Sequence, residues 1–359
     1  MKECLKFLNN APGIDVRIIL TGQATIARYA DLDPEIASEG LEIIHRIPVR
    51  LGGNDGREMA VAMATELAGL ADYWAANRPD MVLLLGDRGE MLAAAIAAFH
   101  LEIPIGHLHG GERSGTIDEG FRHAISKLAT YHFVASEDSR KRLLKMGEIS
   151  ERVMVVGAPG LVGLSIDSQV DRNWLSDRFS LPSSTKAALM LFHPVVQERH
   201  DAFRQTRAIM EALSLSEVST IILRPNSDAG GQEIDRCIDM YPNSDFQVLR
   251  HLPRADFLRT LQAADFIIGN SSAGIIESAS LDTPCINMGS RQSDRLRNDN
   301  VIDCAVFEVP AICRAIDAAV SMAGPFHNRY GDGLTNARLV ECFSNLAPGK
   351  TAPVKRNSY

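Results

Sequence analysis

Short apolar runs alternate with longer segments of helical periodicity along most of the chain. In the segment Glu58–Trp74, methionine and leucine side chains recur at three- and four-residue steps, which predicts an amphipathic helix. The runs rich in β-branched residues predict about twelve strands, namely Val16–Leu20, Ile43–Val49, Met81–Leu85, Ile105–Leu108, Tyr131–Ala135, Val153–Val156, Ala187–Phe192, Val218–Leu223, Phe246–Leu249, Phe266–Ile268, Pro284–Met288 and Ala305–Val309. Nearly continuous apolar strands between helices are typical of parallel sheets covered on both faces.

The pattern divides near Gly163–Trp174, a polar stretch with little apolar content. Twelve strands are too many for one sheet of this kind. We therefore expect an α/β fold of two Rossmann-like domains whose parallel sheets face a cleft. The first domain would span residues 1–165 and the second, nucleotide-binding domain residues 166–333. Ligands in such folds bind at the carboxyl ends of the strands.

Composition and charge exclude several classes of protein. The 359 residues are 45% apolar and 23% charged, which is incompatible with disorder as the main state. The 37 Lys and Arg against 45 Asp and Glu give a net charge of −8, so we expect no nucleic-acid partner. A local basic pocket for a small phosphorylated ligand is compatible with this balance.

The cysteines and the longest apolar run argue against a metal and a membrane. The six cysteines include no C-x-x-C pair and no zinc-ligand spacing, so we expect buried free thiols, no metal and no cofactor. The run Met91–Phe99 is too short to span a bilayer, and Met1–Pro12 lacks the apolar core of a signal peptide. A cytoplasmic protein without a membrane partner is expected.

The densest group of chemically active side chains lies between the third and fifth predicted strands. Gly86-Asp87-Arg88 follows Met81–Leu85, and His109 and Glu112 flank a double glycine after the next strand. Asp118 and Arg122, like Glu119 and His123, are four residues apart on a predicted helix. The alternatives are that Asp87 only caps a helix and that the two pairs are ordinary surface ion pairs. The concentration of these groups favours a functional role.

The second half offers a phosphate-binding pattern. Gly269-Asn270-Ser271-Ser272-Ala273-Gly274 follows a strand and opens a helix, so its backbone N–H groups and hydroxyls would bind an anion. An ordinary serine-capped helix is the alternative. The remaining candidates are the strand-end residues His193, Arg224 and Asn226, a carboxylate for a ribose at Glu277, and Arg291. Neither a P-loop nor a strand–G-x-G-x-x-G–helix unit occurs, which argues against a P-loop ATPase and a nicotinamide dehydrogenase.

The motifs GDRGEM, HGGERSGTIDEGFRHAISKL, His193-Pro194 and GNSSAGIIES…TPCINMGSRQ, in this order, resemble the hydrolysing UDP-N-acetylglucosamine 2-epimerases of sialic and nonulosonic acid biosynthesis. The resemblance covers nearly the whole chain, from about Val16 to the C-terminal helix. It implies the GT-B-like fold of many glycosyltransferases, with a C-terminal helix, about 334–345, that returns to the first domain. It also implies a UDP-sugar substrate and a homodimer or homotetramer.

The implied reaction eliminates UDP from UDP-N-acetylglucosamine to give 2-acetamidoglucal, to which water adds with inversion at C2, releasing N-acetylmannosamine. By motif, the family's catalytic positions are Asp87, Asp118 and His193, and its substrate contacts are Arg88, Arg122, His123, Ser271, Ser272, Gly274 and Glu277, with Arg291 in a matching turn. Some members carry a catalytic Glu at the position of His109, so either Glu112 or His109 takes that role here. A related diacetamido-trideoxy sugar is an alternative substrate.

The sequence departs from the family at its start. Members begin with a strand and a G-T-R loop, and no such segment precedes Lys2. Its absence would leave two strand edges unpaired and remove one wall of the cleft. A shortened sequence or an impaired chain is therefore expected. Two other functions remain as alternatives, a non-catalytic nucleotide-sugar binder and a glycosyltransferase on the same scaffold.

Overall fold

The chain folds into two α/β units, and its computed structural model describes residues 1–25, 33–49, 56–115, 117–182, 186–226, 230–241, 244–346, 355 and 358. Unit 1 comprises Met1–Arg113, Ile117–Gly163 and Tyr330–Tyr359, and unit 2 comprises Ser114–Thr116 and Leu164–Arg329. The α/β class with parallel sheets is confirmed in both units.

Unit 1 contains six parallel strands and seven α-helices among its described residues. In chain order these are α1 (Lys2–Asn9), β1 (Arg17–Thr21), α2 (Asp33–Ser38), β2 (Glu42–Ile47), α3 (Gly56–Ala76), β3 (Val82–Leu85), α4 (Gly89–His100), β4 (Ile105–Leu108), α5 (Ile117–Leu128), β5 (Tyr131–Val134), α6 (Glu137–Lys145) and β6 (Val153–Val155). The seventh helix, α13 (Thr335–Asn345), comes from the end of the chain and packs on α1 through Leu339, Cys4 and Leu8.

The strands of unit 1 form two sheets, β1-β2 and β3-β4-β5-β6. Within the described residues β1 and β3 share no hydrogen-bonded ladder. They nevertheless contribute to the same apolar core, because Ile19 of β1 packs in one cluster with Val82 and Leu84 of β3.

The described residues of unit 2 form a six-stranded parallel sheet in the order β12-β11-β10-β7-β8-β9. Its elements are α7 (Arg172–Phe179), β7 (Lys186–Leu191), α8 (Ala202–Leu215), β8 (Val218–Leu223), α9 (Gly231–Met240), β9 (Phe246–Leu249), α10 (Arg254–Ala263), β10 (Phe266–Gly269), α11 (Ser272–Ile276), β11 (Cys285–Met288), β12 (Val301–Cys304) and α12 (Val309–Val320). This is the Rossmann order, with the first strand of the unit, β7, at the centre.

A glycine at the end of β10 lets two central strands of unit 2 approach closely. Gly269 has φ +140°, and a Cβ there would lie 1.9 Å from the Leu191 carbonyl oxygen of β7. Only glycine fits this position. The residues that follow Gly269 and Leu191 therefore leave the sheet side by side.

The last predicted strand, Ala305–Val309, is wrong. β12 lies at Val301–Cys304, in register with Cys285–Met288 of β11, and Val309 begins α12. The strand carries the polar Asp303, which pairs with Arg297 and accepts a hydrogen bond from Asn287 at 2.7 Å. Asp303 therefore lies in an edge strand although it is charged. It interrupts the apolar run by which strands were predicted, so the prediction was shifted to residues 305–309.

In the part of the chain that the structure describes, no helix combines the length and the apolar character needed to cross a bilayer.

One carboxylate in unit 1 is buried at the carboxyl end of β1. Glu66 of α3 is 1% exposed, and burial, reinforced by the charge of Glu90, raises its pKa from 4.5 to about 7. Hydrogen bonds from Thr21 and the Gly22 backbone oppose this shift in part. Because the folded state holds this proton more tightly than the unfolded state, stability falls as pH rises from about 4.5 through 7.

We predict that Glu66→Gln removes this pH dependence. At pH 8 the variant should be more stable than the wild type, by up to roughly 3 kcal/mol, because the neutral amide carries no desolvated charge. Near pH 5 the two proteins should have similar stability. Urea unfolding at both pH values measures the difference, and a gap of equal size at pH 5 and pH 8 would contradict the prediction.

Candidate active site

The first-unit cluster consists of Asp87, His109, Glu112 and Arg122, which follow β3 and β4 or lie on α5. The guanidinium of Arg122 is 1% exposed and forms an ion pair with Asp87. It also donates to the Glu112 carbonyl oxygen at 3.2 Å. The residue that caps α4 is Arg88, which makes no side-chain capping bond. The alternative that Asp87 is only a helix cap is therefore wrong.

His109 and Glu112 form a second pair in this cluster. His109 Nδ1 lies 2.5 Å from Glu112 Oε1, and Glu112 is 4% exposed. His109 has φ +60°, a strained conformation for a residue other than glycine. The buried carboxylate orients the imidazole and directs Nε2 away from itself, which is the arrangement of an acid–base histidine with its supporting carboxylate.

The other predicted residues of unit 1 lie beside this cluster. Asp118 and Glu119 lie in the first turn of α5, and Glu119 pairs with His123 at 3.5 Å. The surface-pair alternative thus holds for Glu119 and His123. Burial lowers the pKa of His123. Arg88 pairs with Glu90 at 3.3 Å, on the helix that follows Asp87.

The second-unit cluster is built around His193, two residues after β7. His193 Nδ1 accepts from the Asn226 backbone N–H at 3.3 Å, so the neutral ring carries its proton on Nε2. The side chain of Asn270 makes two hydrogen bonds to the backbone of His193. It accepts from the His193 N–H at 2.7 Å and donates to the His193 carbonyl at 2.8 Å.

Asn270 was not among the residues predicted for the site, although it lies within the predicted phosphate-binding motif. It is 1% exposed and follows Gly269, whose close approach to β7 brings the two loops together. The signal that could have identified it is an amide directly after a buried apolar strand.

The predicted phosphate-binding residues surround Asn270. Ser271 caps α11 by accepting from the Ala273 N–H at 3.4 Å, so the serine-capped helix of the alternative is present. Ser272 begins α11. A Cβ on Gly274 would lie 2.7 Å from Cys285 Sγ, so this position needs a small residue.

The predicted ligands for the ribose and the diphosphate have protein partners. Glu277 accepts from Arg254 Nη1 at 2.7 Å. Arg291 Nη1 donates to the Asn270 carbonyl at 3.2 Å. Arg224 pairs with Asp235 at 2.9 Å and with Asp239 at 2.5 Å, so unit 2 already compensates its charge. Substrate binding by Arg224 therefore stays a prediction without support from this geometry.

Among the described residues, no group of three or more His, Cys, Asp and Glu side chains is arranged to hold a metal ion. The six cysteines are unbridged, and four of them are buried.

Comparison with known proteins identifies the family. The model of the UDP-N-acetylglucosamine 2-epimerase family matches residues 6–344. The chain belongs to this family. A UDP-N,N'-diacetylbacillosamine 2-epimerase (hydrolyzing) of Legionella pneumophila is 42% identical over 360 aligned positions, which cover 100% of this chain and 96% of that protein. A UDP-N-acetylglucosamine 2-epimerase of Neisseria meningitidis is 30% identical over 362 positions, covering 99% of this chain and 94% of that protein.

Solved structures support the fold of this family member. The UDP-GlcNAc 2-epimerase of Neisseria meningitidis bound to UDP-GlcNAc matches with a TM-score of 0.79 and 19% identity, over 96% of each chain. The Methanocaldococcus jannaschii enzyme in complex with UDP-GlcNAc and UDP matches with a TM-score of 0.78 and 17% identity, also over 96% of each chain. The resemblance and the GT-B-like fold class predicted from the motifs are confirmed.

We predict that Asn270→Ala destabilises unit 2, because it removes the side-chain partners of the half-buried N–H and carbonyl of His193. The expected loss is roughly 2–4 kcal/mol. Asn173→Ala, at an exposed asparagine of α7, is the matched control and should change stability little. Denaturant unfolding measures the free energy of unfolding of both variants. An Asn270→Ala variant as stable as the wild type would show that the two bonds from Asn270 to His193 do not stabilise unit 2.

Proposed function

We propose that this protein is a hydrolysing 2-epimerase that converts a UDP-linked 2-acetamido sugar and water to UDP and the 2-epimeric free sugar. The family match carries this proposal, because residues 6–344 include every member of both clusters. The overall balance is a hydrolysis. UDP leaves C1 as a proton leaves C2, and water then adds across the resulting double bond.

Each step of this reaction has a chemical demand. The C2 proton is a poor acid, so its removal needs a positioned base while the C1–oxygen bond weakens. The leaving diphosphate gains negative charge, which hydrogen-bond donors and cations stabilise. The addition step needs an acid that protonates C2 and a base that deprotonates the attacking water.

In unit 1 the geometry favours His109 as the group that exchanges a proton with the substrate and Glu112 as its support. Glu112 is buried and bound to Nδ1, whereas His109 presents its other nitrogen. This assigns a joint role to the two residues between which the sequence left the choice open. Asp118, at the start of α5, is the second proposed acid–base group. Asp87, which pairs with Arg122, is proposed to oppose positive charge that develops at C1.

In unit 2 the proposed acid–base group is His193, whose neutral form carries its proton on Nε2. Ser271, Ser272, Gly274 and Arg291 are proposed to bind the diphosphate, and Glu277 the ribose hydroxyls. The support is their place after β10 and β11, at the carboxyl edge of the sheet, where ligands of Rossmann folds bind.

We propose UDP-N,N'-diacetylbacillosamine as the preferred substrate, with UDP-N-acetylglucosamine as the alternative. The relative named for the former is 42% identical, and the relative named for the latter is 30% identical. The product would be a 2-epimeric sugar for nonulosonic acid biosynthesis in the cytoplasm.

The substrate proposal predicts a kcat/KM at least tenfold higher for UDP-N,N'-diacetylbacillosamine than for UDP-N-acetylglucosamine. Release of UDP is measured with each sugar, and NMR identifies the sugar product.

In D2O the product should contain one deuterium at C2, because the proton there is lost and then regained from solvent. Asp118→Asn should abolish turnover. Binding of UDP with no turnover of either sugar would instead support a non-catalytic binder, and UDP release that needs an added acceptor would support a glycosyltransferase.

The pairing of His109 with Glu112 predicts unequal losses. His109→Ala should lower kcat by at least 100-fold, because the proton-exchanging group is gone. Glu112→Gln should lower kcat by roughly 10-fold, since the amide oxygen still accepts from Nδ1 but no longer carries a charge. His100→Ala, at an exposed helix end, is the control. A Glu112→Gln variant with the larger loss would assign the proton exchange to Glu112.

The oligomeric state is also proposed from the family, as a homodimer or homotetramer. Light scattering on the purified protein, which should give two or four times the 39.2 kDa of one chain, measures it.

A further inference from the structure

One histidine of unit 1, His107 on β4, has no role in the mechanism above. It is fully buried, with 0% exposure, in the strand that leads into His109. Burial lowers its pKa to about 3. The ring is therefore neutral over the working pH range, and its function must come from its two hydrogen bonds.

The two ring nitrogens of His107 bond to two different elements. Nε2 lies 2.8 Å from the carbonyl oxygen of Gly86, in the loop after β3. Nδ1 lies 3.1 Å from the hydroxyl of Ser126, on α5. A carbonyl only accepts, so Nε2 carries the proton and Nδ1 accepts from the serine. The tautomer follows from these partners.

Gly86 is held through both its N–H and its carbonyl, directly before Asp87. Gly86 has φ +80°, and its N–H donates to the Leu108 carbonyl of β4 at 2.9 Å. Asp87 is the next residue. Bonds to the N–H and to the carbonyl of Gly86 therefore fix the direction in which the chain presents Asp87 to Arg122.

We infer that His107 is a positioning residue for the proposed reaction, which holds Asp87 at its working distance from α5 through the Gly86 carbonyl. This inference rests on the proposed function. His107 bridges the loop that carries Asp87 and the helix that carries Asp118 and Arg122. A shift of this loop would change the placement of Asp87 without removing any group that contacts the substrate.

Two amide variants separate the two hydrogen bonds. The Nε2 of glutamine reaches the place of the histidine Nε2, so His107→Gln keeps the bond to Gly86. The Nδ2 of asparagine reaches only the place of Nδ1, so His107→Asn loses that bond. Ser126→Ala is the complementary control, because it removes the partner of Nδ1 and leaves the bond to Gly86 in place.

The expected result is that His107→Asn lowers kcat by 10- to 100-fold with KM changed less than threefold. His107→Gln and Ser126→Ala should keep kcat within about fivefold of the wild type. Thermal unfolding of all variants is measured in parallel, because a purely structural role would lower stability and leave the kcat of the folded protein unchanged. Equal kcat values for His107→Asn and His107→Gln would overturn the inference.

Hydrogen exchange gives a readout that does not depend on turnover. The amides of residues 86–88 should exchange faster in His107→Asn than in His107→Gln, and Ser126→Ala should resemble the wild type. If the wild type turns over no UDP-sugar, the proposed function fails, and this exchange pattern still decides whether His107 holds the loop. Similar exchange at 86–88 in both amide variants would overturn the inference in either case.

Discussion

The first-unit cluster depends on the compensation of one buried charge, that of Arg122. A guanidinium with 1% exposure costs several kcal/mol unless partners replace the lost water. Asp87 supplies the opposite charge, and the Glu112 carbonyl supplies a further acceptor. Because these partners follow β3 and β4 while Arg122 lies on α5, the electrostatic requirement fixes two loops against one helix. The same requirement makes the cluster sensitive to changes that move any of the three elements.

Most of the fold was predictable because apolar periodicity reports burial directly. Eleven of the twelve strands lie within a few residues of the predicted runs, and only β12 was misplaced. Its residue Asp303 is charged yet lies in the ladder, since Arg297 and Asn287 provide partners from other segments. Partners brought together by the fold cannot be read from a local pattern.

Distant partners also explain which residues of the candidate site could be predicted from the sequence and which could not. The motif residues were identifiable from their places after strands, which is where α/β folds bind ligands. The ion pair of Arg122 with Asp87 was not predicted, because the two residues are 35 positions apart along the chain and helical spacing indicates only neighbours such as Asp118. Asn270 and His107 were not predicted to act, since both bond to backbone atoms of distant segments. Such bonds leave no signature in residue spacing.

Besides its ion pairs, each unit holds a loop of its cluster with a neutral side chain that bonds to the backbone. In unit 2 Asn270 clamps the backbone of His193, and in unit 1 His107 bonds to the Gly86 carbonyl. A neutral side chain keeps its hydrogen bonds across the working pH range and adds no net charge to the cluster. The charges of Asp87 and Glu112 and the ring of His109 then remain the groups that we propose to act on the sugar. None of these bonds involves a group that titrates in the proposed reaction, so a proton transfer by His109 would leave them in place.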